Sequence, residues 1–312
     1  MGLPVLFLLA AITAGTSEYL VHSADPAVNR AGQLLNLSQA SQALELLRPA
    51  LDRHPKDPGL LLLAGLAAYR SDQLSEALGF WKQSLDLAPN DALSAMVEDA
   101  KREAAADHSS DRLLGIHIAL RYDSNALSLD TAQSILAMLE EDYSRISTQL
   151  GCSSGERVIA IVQSREQYMR GTNAAEWSGG HFDGRIHIAW TGPGIERALA
   201  HELVHACLMS IPSGSSPWPI WLQEGLAQKF SGEVLSLSMR EQLLQRARVG
   251  GIPRLENLGQ DWFSMSQQDA VAAYNISLAA VDQIYPHGIH EILAHPEALP
   301  ALTTDLDAQF GL

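Results

Sequence analysis

The chain is poor in cysteine, in aromatic side chains and in positive charge, and each shortage bears on what it can be. Two cysteines in 312 residues, Cys152 and Cys207, cannot supply a disulfide framework or a thiolate zinc site. Lys and Arg number 21 against 36 Asp and Glu, a net charge of −15, which argues against nucleic acid or an anionic membrane surface as partner. Aromatic residues make up only 6% of the chain, so leucine and alanine must fill most of any core. The uncharged apolar run at the N-terminus, Gly2 to Gly15, has fourteen residues, short of the roughly 20 that a membrane-spanning helix needs. Followed by Thr16-Ser17-Glu18, it suits the apolar stretch of a secretory signal peptide, with small residues at Thr13-Ala14-Gly15 for cleavage, although no Lys or Arg precedes it. Residues 1–23 are therefore read as a signal peptide or N-terminal anchor. The chain is expected to be exported, periplasmic or secreted, touching a membrane only through that segment if it stays uncleaved.

The length allows about two domains. Residues 24–106 are rich in Leu and Ala and repeat with a period of 34: Ala43 and Ala77, Ala50 and Ser84, and Pro55 and Pro89 are each 34 apart. That is the length of a tetratricopeptide helix pair, with Gly65, Ala77 and Trp81 at its usual small, alanine and aromatic positions. A further helix over 91–106 caps the stack, since an end repeat must cover an apolar face. Two units are few for a solenoid, so the stack is expected to lean on the next domain or on a protein partner. Asp107 to Asp111 reads as a linker, and the two modules are expected to separate there.

Beyond it the periodicity changes. Leu113 to Arg121 alternates as a strand, Leu127 to Leu150 is an amphipathic helix closed by Gly151, and Arg157 to Gln163 is a short β-branched strand. Ser164 caps a brief helix, Gly179 to Gly184 reads as a turn, and Arg185 to Trp190 as another strand.

The most informative stretch is Ala198 to Gln228. Ala198 to Leu208 has no Gly or Pro and dense apolar residues, so it predicts a buried helix carrying His201-Glu202-x-x-His205. At i and i+4 the two imidazoles share one face, one turn apart, close enough to hold a single metal ion. A catalytic zinc takes three protein ligands and leaves a fourth position for water. Glu224 is the third candidate: it lies nineteen residues past His205, on a second apolar run from Ile220 to Phe230, after a Pro- and Gly-rich loop that turns the chain back. Glu202 is not expected to bind metal; its role is to take a proton from the metal-activated water and hand it to the leaving group.

These residues resemble the gluzincin metallopeptidases. The frames Ala-His-Glu-Leu-x-His-Ala and Trp-Leu-x-Glu-Gly-Leu-Ala are similar to those of bacterial peptidase MA-like domains, which often accompany tetratricopeptide repeats. The resemblance covers 112–290 and implies an α+β fold, a helical repeat module followed by a gluzincin-type domain with a small mixed sheet; 291–312 is read as a peripheral C-terminal tail. It implies zinc-dependent hydrolysis of a peptide or protein substrate, with His201, His205 and Glu224 as ligands and Glu202 as catalytic base. It also implies that the strand before the metal helix is the sheet edge along which substrate lies. Tyr274, in Ala273-Tyr274-Asn275-Ile276-Ser277, matches the family's Ala-Tyr-x-x-Ser helix, which implies a donor to the oxyanion; the other reading is a core tyrosine on an Ala-rich helix. One departure is Gln228, which stands where relatives place an Asp that orients the first histidine, so a weaker amide would do that work.

His181 and His187 are read as sheet or loop residues, and His287 and His290 as a helix cap or surface pair. Cys207, two residues past His205, points away from the metal face. It is read as a small buried apolar residue, with a bridge to Cys152 left open. The competing reading is a binding or assembly protein that works through its repeats, with the metal fold a relic.

Overall fold

A computed structural model describes residues 26–107, 109–172, 179–213, 217–258 and 267–312. The expected signal peptide or anchor, residues 1–23, lies outside them. Among the described residues no helix is long and apolar enough to cross a membrane. The fold is α+β, mostly helical, around one mixed sheet of five strands.

Among the described residues five helices come first: α1 (Pro26–Asn36), α2 (Ala40–Arg53), α3 (Pro58–Arg70), α4 (Leu74–Leu87) and α5 (Asp91–Ala106). Asp57 and Asn90 cap α3 and α5 by accepting the Leu60 and Leu93 N–H groups, and Pro58 sits at the first helical position of α3. The boundaries of α2 and α4 are 34 residues apart. So are the turns before them: Ser38 and Asp72 adopt φ of 56° and 59°. Each lets the next amide, Gln39 or Gln73, reach back to Leu34 or Ala68 and close the preceding helix. At Gly65 a Cβ would meet the Trp81 ring at 2.2 Å, so only glycine lets the α4 indole rest on α3 and donate to the Leu62 carbonyl at 3.1 Å. These helices bury their own core around Trp81 and the leucines of α3, distinct from the core of the remaining chain.

The sheet has the order β1-β2-β3-β5-β4, built from β1 (Ser110–Leu114), β2 (Ile118–Asp123), β3 (Val158–Ser164), β4 (Gly180–Phe182) and β5 (Ile186–Trp190). The pairs β2–β3 and β3–β5 are parallel, while β1–β2 and β4–β5 are antiparallel. Two expectations are corrected here. Leu113 to Arg121 is not one strand but the inner part of a hairpin: the chain turns at Gly115, whose N–H bonds the Ile118 carbonyl, and Glu140 accepts the His117 and Ile118 amides. Alternation across a tight turn imitates a continuous strand, because both arms keep the same period of two. Likewise Gly179 to Gly184 is a strand as well as a turn. This β4 is the sheet edge, so β5, the strand expected at the edge, lies inside between β3 and β4.

One face of the sheet, with Leu120, Ala160, Val162, Phe182, Ile186 and Ile188, packs on α6 (Leu129–Leu150) and on α8 (Glu196–Met209). The other face is covered by α5 and by α7 (Arg165–Thr172). The chain then runs through α9 (Ile220–Phe230), α10 (Leu237–Arg248), α11 (Gln267–Ile284), α12 (Ile289–Ala294) and α13 (Leu299–Phe310). Residues 291–312 are not a peripheral tail. Leu299, Leu306 and Phe310 join the main core, Thr303 accepts the Trp221 indole N–H, and buried Asp307 accepts the Leu255 N–H. Alternating Thr and Asp among Leu conceals this packing in the sequence, since their hydroxyl and carboxylate are satisfied only across other elements.

Cys207 is not a free buried thiol. It pairs with Cys152 in a disulfide that joins α8 to the segment after α6 across 55 positions. A loop of that size contributes about 2–4 kcal/mol.

The second sheet face is polar and buried. Arg185 grips Glu103 with two nitrogens at 3.0 and 2.7 Å, and Arg121 reaches the same carboxylate at 2.7 Å and Asp72 at 2.9 Å. The Arg185 guanidinium lies 3.8 Å over the Tyr69 ring, whose hydroxyl donates to Asp183 at 2.6 Å. Burial opposes the charge on Glu103, yet Arg185 and its other cationic neighbours hold its pKa down at about 2. The N-terminal helices and the sheet are thus joined by paired charges rather than by continuous apolar packing.

Candidate metal centre

α8 and α9 pack against each other, with α6 beside α8 and α11 beside α9. His201, Glu202, His205 and Glu224 all point into that layer, and none is more than 5% exposed. Both histidines face Glu224: His201 Nε2 is 3.5 Å from Oε2 and His205 Nε2 is 3.8 Å from Oε1. The imidazole planes are tilted by 57°, with centroids 5.1 Å apart. Ligand atoms of the three residues lie within 4.8 Å of one another.

The chemistry of this donor set suits a cation. Burial lowers the pKa of both imidazoles, so each is neutral and presents a lone pair. Burial also pushes Glu202 up to about 8 and Glu224 well above the carboxylate range. His201 Nε2, Glu224 Oε2 and both Glu202 oxygens make no hydrogen bond, and among the described residues no Lys or Arg pairs with either carboxylate. Buried polar atoms of this kind are costly unless a metal or a proton satisfies them. Two neutral imidazoles and a carboxylate are a zinc set, and their separations fit a small ion between them.

A second group, His181, Asp183 and His187, also brings its ligand atoms within 4.8 Å. It sits on the opposite face of the sheet, and its geometry is different. The two rings stack with centroids 4.4 Å apart and planes 9° from parallel. An imidazole binds metal in its own plane, and two nearly parallel planes do not meet at one ion. The Asp183 carboxylate is also taken up by the Tyr69 hydroxyl and, at 3.1 Å, by the Arg185 main-chain N–H. His287 and His290 are exposed.

The structure places Tyr274 beside the centre. It is 1% exposed on α11, and burial together with the charges of Glu224 and Glu202 raises its phenol well above the ordinary value. Gln228 does not orient a histidine as expected. Its amide nitrogen donates to the main-chain oxygens of Tyr274 at 2.8 Å and Glu224 at 3.3 Å, tying α9 to α11.

Two residues that matter here were not singled out from the sequence. A Cβ on Gly225 would meet the Ser277 carbonyl oxygen at 2.4 Å, so this glycine lets α9 approach the backbone of α11 and holds Glu224 and Tyr274 together. Gly180, on the edge strand, would meet Ile188 at 2.6 Å, the His187 carbonyl at 2.9 Å and Glu202 Cγ at 3.3 Å. Its missing side chain brings the β4 backbone against Glu202. A glycine next to a suspected ligand and a glycine pair before a strand were the available signals.

No protein-family model matches this chain, and no curated protein matches it.

Proposed function

We propose that the chain is a zinc metallopeptidase of gluzincin type that hydrolyses peptide bonds. The observation that carries this reading is the convergence of His201, His205 and Glu224 within 4.8 Å, on two packed helices, with the uncoordinated carboxylate of Glu202 beside them. Zinc, when bound by those three side chains, supplies a Lewis acid and lowers the pKa of a water in its open position. Glu202 accepts the proton of the attacking water on its carboxylate and returns it to the leaving amine. Its burial supports this, because a carboxylate in an apolar layer is a stronger base than one in water. Tyr274 donates its phenolic hydrogen to the oxyanion as the carbonyl becomes tetrahedral.

The place of β4 at the end of the strand order, with Gly180 against Glu202, supports the same reading, because an extended peptide laid along that strand would be held largely through its backbone. The matching 34-residue spacing of α2, α4 and the turns at Ser38 and Asp72 supports tetratricopeptide-like repeats over 24–106, preceding the peptidase domain at 112–290. The Cys152–Cys207 disulfide supports an exported protein, since such bonds persist in oxidising compartments.

Elemental analysis of the purified chain tests the centre directly, with one zinc expected per chain. His205→Ala, which removes one of three ligands, is expected to lose most of that zinc. A parent that neither retains zinc nor takes it up, or one with zinc that cleaves nothing in a broad peptide library, would transfer the function to the helical repeats as a binding module. For the oxyanion role, Tyr274→Phe is expected to lower kcat by roughly 10- to 1,000-fold with KM little changed. Steady-state kinetics on a cleaved library peptide would check it, and an unaltered kcat would make Tyr274 a core residue only.

A further inference from the structure

A cleft of about 320 Å³ lies where the turns after α1 and α3 meet the rim of the sheet and the Ala206 and Met209 side of α8. Its polar wall includes Ser38, Ser71, Arg70, Arg157 and Glu156, and its apolar wall includes Ala119, Ile159 and Met209. Arg70 is the anomaly. It is only 6% exposed, yet it forms no ion pair with any described residue. Nη1 donates to the Leu35 carbonyl at 3.2 Å, and Nε has no partner. Of the similarly buried arginines, Arg121 holds three carboxylates and Arg185 two within 3.3 Å. A buried guanidinium without a counter-ion is expensive to keep. Burial lowers the Arg70 pKa to about 10, with the charge of Asp183 acting in the opposite sense.

We propose that this cleft binds a monocarboxylate bearing an apolar group, such as the C-terminal residue of a peptide, with Arg70 as its anchor. The guanidinium fork matches the two oxygens of a carboxylate, and Arg70 lines a cleft of ligand size. The Ser38 hydroxyl adds a donor at the mouth, the Ser71 hydroxyl being already given to the Ala67 carbonyl at 2.8 Å, and Ala119, Ile159 and Met209 receive the apolar group. A phosphate fits less well. The first-turn amides of α2, Ser41 and Gln42, already donate to Glu156 at 2.9 and 2.8 Å, so the N–H groups a phosphate would use are engaged, and the Glu156 charge opposes a phosphate dianion more than a singly charged carboxylate. The site is independent of the zinc reading, since none of its residues is a proposed ligand.

Thermal unfolding of the full chain tests it, with N-acetyl-leucine, N-acetyl-leucinamide and inorganic phosphate as probes. Carboxylates also bind metal, so each probe is run before and after dialysis against a chelator. Saturating N-acetyl-leucine is expected to raise Tm by ~2–4 °C in both preparations, while the amide and phosphate do not. Arg70→Met should abolish the rise without lowering the unliganded Tm, because it removes an uncompensated charge. Should that variant not fold, Ala119→Phe, which fills the cleft from a partly exposed position, should abolish the rise by itself. No rise in the parent, an equal rise with the amide or phosphate, a rise lost on chelation, or one that survives in either folded variant would overturn the proposal.

Discussion

Glu202→Gln is expected to keep its zinc at the parent's content and to lose peptide hydrolysis by about 10²- to 10⁴-fold in kcat, the range that a positioned general base supplies. The amide has nearly the shape of the carboxylate and all three proposed ligands are untouched, so metal content should not change. Only the acceptance of a proton is lost. Zinc analysis and peptide cleavage measured on parent and variant in the same preparation separate the two effects. A purely structural zinc site would show no such split. Cleavage that survives the substitution would mean another base or a contaminating protease. The fully buried position of Glu202 against the β4 backbone makes the substitution demanding, so near-UV circular dichroism should confirm that the variant is folded.

Glu103→Ala is expected to destabilise the chain by about 3–5 kcal/mol, because it leaves the buried guanidinium of Arg185 without its two-pronged partner and takes one carboxylate from Arg121. Denaturant unfolding measures it. Glu103→Met combined with Arg185→Met should cost much less, since the pair leaves together and apolar groups fill the space. The pH dependence has a definite sign. Glu103 is held at about 2, below its ordinary value near 4.5, so its contribution is full above about 4.5 and disappears as pH falls toward about 2. The parent should therefore lose stability through that acid window, and the double variant should lose less of it. A fragment beginning at Ser110 lacks Tyr69, Asp72 and Glu103 together. It is expected to unfold at a lower temperature than the full chain, which would show that the helical module and the sheet stabilise each other. A fragment as stable as the full chain would show that the charge cluster contributes nothing across the linker.

Local patterns made much of the fold legible. The helix from 129 to 150 was readable from its apolar period and Gly151, whose φ of 77° closes it, and the 34-residue offset marks the paired helices. The shared direction of the two histidines was readable because a helix converts sequence spacing into direction: His201 and His205 at i and i+4 can hardly avoid facing the same way. Glu224 was harder, since its position depends on the loop between two helices, and only the length and composition of that loop indicated a return.

Other features could not be read locally. The hairpin at Gly115 kept the alternation of a strand, and the edge position of β4 depends on the order in which strands pair, which no single strand encodes. Gln228 occupied the right place in the motif but bonds to Tyr274, because α11 comes close enough at Gly225 to offer a carbonyl.

The sequence by itself determined the elements, the face on which the two histidines stand, and the acidic surface, because each follows from side-chain chemistry and the period of one helix or strand. Only the tertiary structure decided which of two His-containing clusters has rings that can converge on one ion, where Cys152 meets Cys207, and how Asp72, Glu103, Arg121 and Arg185 become one network. Those are contacts between residues as many as 113 positions apart, and the free energy that selects them lies in burial and charge pairing across elements, which no local period records.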